Sequence, residues 1–183
     1  MKIIFIRHGE PDYSPCYERG FIGQGKDLAP LTAQGTEQAL AAAKSPLLSG
    51  CELILSSPYT RALQTAAIIS KEIRLNISVE VDLHELLLDK TFQYKGQAES
   101  DELHHEFVRC RGVYPPGEPK RWETVAEIKK RAAGVLERYL SHNKIIVVAH
   151  GGIIRRFTGN ATVDYCTPCE IDYTKDFVCF DFV

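Results

Sequence analysis

Three short segments of this chain place imidazole and guanidinium groups where they can act on an anion. Arg7-His8-Gly9 closes an apolar run from Lys2 to Ile6, and His150-Gly151-Gly152 closes a second from Lys144 to Ala149. The third segment, Ser56-Ser57-Pro58-Tyr59-Thr60-Arg61, carries a guanidinium into what reads as a helix start. A helix N-terminus favours anions through its unpaired N–H groups and the macrodipole, and the planar arginine fork matches phosphate. Phosphoryl transfer requires neutralised equatorial oxygens and a nucleophile held in line. His8 is the candidate nucleophile, carrying a phosphohistidine, with Arg7, Arg61 and His150 supplying charge. A leaving alkoxide needs a proton, and Glu85 in Leu83-His84-Glu85-Leu86 is the candidate donor. Gly9, Gly151 and Gly152 allow close backbone approach and leave N–H groups to face an anion.

Bringing these groups together is the task of the surrounding elements. Lys2 to Ile6 and Lys144 to Ala149 are apolar runs that read as buried strands, and Leu53 to Leu55 reads as a short central one. Ile77 to Val81 alternates with strand period. A helix is expected from Thr32 to about Leu48. A second opens at Ser57-Pro58 as cap and first residue and runs to about Ile73, and a third covers Ser100 to Cys110. Thr124 with Glu127 three residues on is a capping box for a helix to about Leu140. Gly9 to Pro30 reads as a long loop, and Cys169 to Val183 as a hairpin turning near Thr174-Lys175-Asp176. Strands alternating with helices imply an α/β domain with a mostly parallel sheet. Ligands of such sheets bind outside the carboxyl ends of the strands, where His8 and His150 fall.

Composition narrows the field. The 183 residues are 44% hydrophobic and 25% charged, an ordinary globular balance that suits one domain able to bury its own core. A net charge of −2 gives no whole-molecule attraction to nucleic acid or to an acidic membrane. No stretch is long and apolar enough for a membrane span or a secretory signal, which places the expected location in the cytosol. The six cysteines are then read as reduced thiols. Cys166 and Cys169 share the spacing of a redox or zinc pair, but they precede a strand-like segment and lack two further ligands, so chance spacing is preferred. Adjacent His104 and His105 point apart on a helix and make a poor metal pair.

Four ordered stretches resemble the histidine phosphatase superfamily, the phosphoglycerate mutase-like family. They are Arg7-His8-Gly9-Glu10; Gln24-Gly25 with Pro30-Leu31-Thr32, Gly35 and Gln38-Ala39; Ser56-Ser57-Pro58 with Arg61-Ala62 and Gln64-Thr65-Ala66; and Val148-Ala149-His150-Gly151-Gly152. The resemblance implies a three-layer α/β/α sandwich over residues 1–183, with 89–122 as a capping insertion. It implies His8 as the phosphorylated nucleophile, Arg7, Arg61 and His150 as the phosphate pocket, and Glu85 as the acid, with Asp82 and Asp89 as fallbacks. Gly9, Gln24, Gly25 and Gly151 are the accompanying substrate contacts. The expected activity is metal-independent and cofactor-free hydrolysis of a small phosphorylated metabolite. Mutase-type transfer, or phosphate binding without catalysis, is the alternative. Mutases of the family usually carry longer insertions, which favours hydrolysis. Two departures stand out: Asp27 comes one residue earlier than usual, and Leu86-Leu87-Leu88-Asp89-Lys90 replaces a Gly-rich, Trp-Glu-Gly segment. Lys90, Lys95, Arg109, Arg111 and Arg121 are read as a solvated face in preference to a second anion contact. The residues name neither the natural substrate nor the oligomeric state.

Overall fold

The first apolar run is a strand covered on both faces. In the computed structural model, which describes residues 1–182, Ile3 and Phe5 enter one core cluster and Ile4 and Ile6 the other, as the two-residue period of a strand requires. A strand apolar on both sides must be central, and β1 (Lys2–Arg7) is. It runs parallel to β4 (Lys144–Ala149) in a register pairing Arg7 with Ala149, and its other edge takes β5 (Cys169–Asp172) antiparallel. β2 (Ile54–Ser56) pairs parallel with β4, and β3 (Ile77–Val79) parallel with β2, giving the order β3-β2-β4-β1-β5.

Helices cover both faces. α2 (Ala33–Ala43) and α3 (Thr60–Ile73) present mostly alanines (Ala39, Ala42, Ala43, Ala62, Ala66) to one side, which lets them lie close to the sheet. α5 (Val125–Glu137) and α6 (Gly151–Thr158) cover the other with Ile128, Val135, Leu136, Ile153 and Phe157. The result is the expected three-layer α/β/α arrangement with a mostly parallel sheet. Residues 89–122 contribute α4 (Gln97–Arg109) and a satellite core in which Tyr94, Leu103, Phe107 and Trp122 pack together.

Several boundaries differ from expectation. The helix after β2 begins at Thr60, with Tyr59 as N-cap, because Ser57 and Pro58 remain outside it and the Ser57 hydroxyl accepts the Tyr59 N–H at 3.3 Å. α2 ends at Ala43, since Pro46 has no N–H to extend the ladder and Ser45 instead caps a 3₁₀ turn, Pro46–Leu48. The loop before it holds α1 (Ser14–Glu18) and a 3₁₀ turn, Gly23–Leu28. The C-terminal hairpin does not form among the described residues. Past β5 the chain leaves the sheet, and the Phe180 N–H donates to the Arg156 carbonyl at the end of α6 (2.8 Å). No helix among the described residues is long and apolar enough to cross a membrane.

Candidate active site

The register of β1 on β4 decides the geometry. Because Arg7 pairs with Ala149, the next residues of the two strands, His8 and His150, emerge side by side with ring centroids 5.1 Å apart. The His8 backbone N–H donates to the Ala149 carbonyl (3.0 Å), which locks the two turns together. His8 is 4% exposed and His150 fully buried.

The tautomer of His8 follows from its partners. Nδ1 lies 2.7 Å from the Gly9 carbonyl, which can only accept, and Nε2 lies 3.3 Å from Arg61 Nε, which can only donate. The proton is therefore on Nδ1 and the lone pair on Nε2. Burial, then the charge of Arg61, pulls the His8 pKa down to about 3 against the Gly9 hydrogen bond, with Arg7 adding to the lowering, so the ring is neutral at ordinary pH.

His150 is treated alike. Its Nε2 lies 2.7 Å from the Ser57 hydroxyl, which also accepts the Tyr59 N–H. Its Nδ1 is buried without a partner. Burial and the charge of Arg61 hold the His150 pKa well below its ordinary value. His150 therefore offers a neutral ring rather than the positive charge expected of it.

The cations here are the two arginines. Arg61, at the second position of α3, is 4% exposed and lies over the Tyr59 ring, its guanidinium carbon 5.1 Å from the centroid. Arg7 Nη1 donates to the Val163 carbonyl (2.8 Å), its guanidinium stacks on Tyr165 (4.0 Å), and its Nε is buried without a partner. Arg7 Nε and His150 Nδ1 are thus buried polar groups without partners on residues that flank His8. A native interior rarely tolerates such groups without a ligand to meet them.

Glu85 reaches the same rim from the other side of the sheet's edge. Its Oε2 accepts the Gly152 N–H at 3.1 Å in the first turn of α6, and Oε1 accepts the Leu86 N–H at 2.8 Å. Arg131 holds the segment in place, donating to the carbonyls of Asp82 (2.6 Å), His84 (2.8 Å) and Glu85 (3.3 Å) while pairing with Glu123 at 2.5 Å. The fallback acids are elsewhere engaged or exposed. Asp89 is fully buried against Arg121, Thr91 and Gln93, and Asp82 faces solvent.

The glycines do other work than expected. The Gly9 N–H is taken by Thr65 Oγ1 (3.0 Å), one turn along α3 from Arg61, and that of Gly152 by Glu85, so neither is open to an anion. Gly9 is instead required by space, since a Cβ would strike the Gly35 carbonyl; Gly151 packs beside Arg7. Gly25 lies against Phe21, while Gln24 borders a cleft with its Oε1 buried and unpartnered.

Three contributors escaped sequence reasoning. Ser57 orients His150, Thr65 ties the His8 turn to α3, and Asp27 accepts from Arg61 Nη1 at 3.0 Å. Ser57 and Thr65 stood in a matched motif without a role, and Asp27 stood out by its displaced position.

A family model, histidine phosphatase superfamily (branch 1), matches residues 3–166. The chain belongs to the histidine phosphatase superfamily. It is 31% identical over 155 residues to the uncharacterized phosphatase PhoE of Bacillus subtilis strain 168, covering 83% of this chain and 72% of that protein. It is 27% identical over 156 residues, with 82% and 70% covered, to a Proteus mirabilis strain HI4320 protein named probable phosphoglycerate mutase GpmB. In fold it resembles the alpha-ribazole phosphatase of Shigella flexneri, with a TM-score of 0.70, 22% identity, and 100% and 96% of the two chains covered. Several of the motif residues brace the turns around the site. Thr32 Oγ1 donates to Glu10 (2.7 Å), Gln38 accepts the Glu10 N–H (2.9 Å), and Gln64 accepts the Leu31 N–H (2.8 Å).

Proposed function

We propose that the chain is a phosphomonoester hydrolase that works through a phosphohistidine on His8. One observation carries this reading: the His8 Nε2 lone pair is unprotonated and fixed beside Arg61, with the unpartnered buried nitrogens of Arg7 and His150 on either side. His8 Nε2 attacks phosphorus, the ester P–O bond breaks, and Glu85 gives its proton to the leaving oxygen. Water then attacks the phosphohistidine, Glu85 takes back the proton, and inorganic phosphate leaves. Arg7 and Arg61 balance the charge on the equatorial oxygens, and His150 Nδ1–H adds a hydrogen bond. Guanidiniums supply here what a metal ion supplies elsewhere, so the scheme needs no metal.

The test is hydrolysis of p-nitrophenyl phosphate with chelator present, comparing the protein with His8→Ala. The expected outcome is chelator-resistant turnover and an acid-labile phosphate label, both absent from the variant. Label surviving in His8→Ala would remove the nucleophile from this residue. Label passed back to an alcohol instead of to water would make the enzyme a mutase.

A further inference from the structure

A cleft of about 290 Å³ is bordered by Glu85, the proposed acid, and by Asp27 and Tyr59, which both contact Arg61. Its far wall holds a cation that the reaction scheme does not use. Lys26 is 8% exposed, and its Nζ sits between the Tyr17 and Tyr94 rings, 5.2 and 5.6 Å from their centroids. Its one hydrogen-bond acceptor is Gln97 Oε1 at 2.7 Å. Among the described residues no carboxylate lies within ion-pair distance of it. Asp27 and Asp101 act on it only through space, and each is engaged elsewhere, Asp27 by Arg61 and Asp101 by Gln97 Nε2.

An ammonium has three donors, and a nearly buried one with a single neutral acceptor is under-compensated. The tyrosine faces attract it and hold it still, but they leave its net charge in place. Gln24 Oε1, buried and unpartnered on the same cleft, adds an acceptor awaiting a donor. Three of the basic side chains after the acid are already committed, Lys90 to Glu127, Arg109 to Glu106, and Arg121 to Asp89 and Glu99, and none of them lines this cleft.

We propose that Lys26, held in its tyrosine cage, selects phosphomonoesters whose alcohol carries a second anionic group, a carboxylate or another phosphate. The inference rests on the phosphatase reading and deepens it. The displaced Asp27 belongs to the same arrangement. By turning to Arg61 it leaves Lys26, its neighbour in the chain, as the unpaired charge facing the leaving group.

The experiment compares kcat/KM on a three-carbon series: propyl phosphate, 2-carboxyethyl phosphate and 1,3-propanediol bisphosphate, with p-nitrophenyl phosphate as the activity control. The anionic members should exceed propyl phosphate by about tenfold or more, a magnitude in keeping with one buried charge contact. The better of the two tells carboxylate from phosphate. Lys26→Met should collapse that ratio towards one, and Lys26→Arg should restore most of it. Equal losses on every substrate in Lys26→Met would mark a structural lysine and overturn the proposal, as would an undiminished preference. Hydrolysis of p-nitrophenyl phosphate without any preference in the unaltered protein overturns this inference alone. Failure on all four substrates overturns the phosphatase reading and this inference with it.

Discussion

At the scale of single residues, the site is a set of charges whose pairing changes when substrate arrives. Arg61 is shared between His8 Nε2 and the half-buried Asp27 carboxylate, whose loss of solvent holds it above the usual carboxylate range against the opposing pull of Arg61. A phosphate group docking on Arg61 meets that carboxylate at close range, and like charges in a poorly solvated site repel strongly. Asp27→Asn keeps an acceptor for Arg61 while removing the charge. Inorganic phosphate should therefore inhibit this variant more tightly, with Ki lowered by roughly tenfold, about 1.4 kcal/mol. A raised Ki would mean that the ionic grip of Asp27 is what orients Arg61.

Elements set how accurately those residues meet, and two local features make separable predictions. The β4–α6 turn must carry glycine at 152, because a Cβ there would press on the Glu85 carboxylate. Gly152→Ala should displace that flexible side chain and leave the fold alone. Turnover of alkyl phosphates should fall by about 10²-fold, the share general acid catalysis commonly contributes. Turnover of p-nitrophenyl phosphate, whose leaving group hardly needs a proton, should fall far less, and the melting temperature should hold. Equal losses on both would place the acid elsewhere. The α5 capping box, with Thr124 Oγ1 accepting the Glu127 N–H (3.1 Å) and Glu127 accepting the Thr124 N–H (2.7 Å), stabilises the helix bearing Arg131. Thr124→Ala should cost about 1 kcal/mol in urea unfolding. This box was legible in the sequence because its two members lie three residues apart, as were β1 and β4, whose apolar runs have one reading. The start of α3 was misplaced because Ser57 answers to His150, a residue far along the chain. Arg131 was invisible as the clamp on Glu85 for the same reason: its carbonyl partners exist only once the chain has folded.

For the whole molecule, burying two neutral histidines couples stability to pH. His8 and His150 both have folded pKa values below the ordinary 6.5. Above that value both rings are neutral in either state and contribute no pH dependence. As pH falls below 6.5 the unfolded chain takes up protons that the native rings refuse, and stability is lost until the native rings protonate, near pH 3 for His8. Each ring should steepen the decline by up to about 1.4 kcal/mol per pH unit. Urea unfolding at intervals from pH 7 to 4.5 should show His8→Asn declining less steeply than the parent. Parallel curves would mean that the native ring takes its proton near the ordinary value.

The strand pairing of Arg7 with Ala149 also has a consequence in time. These partners lie more than a hundred residues apart, so a ribosome delivers His8 long before the strand that completes its pocket. Until β4 is made, His8 has neither the Ala149 carbonyl that anchors its turn nor the imidazole beside it. Long-range parallel pairing is slow because the intervening chain must be closed into a loop before any contact rewards it. The proposed chemistry therefore waits on this pairing, and a chain cut short before β4 carries the His8 motif without the His150 pocket.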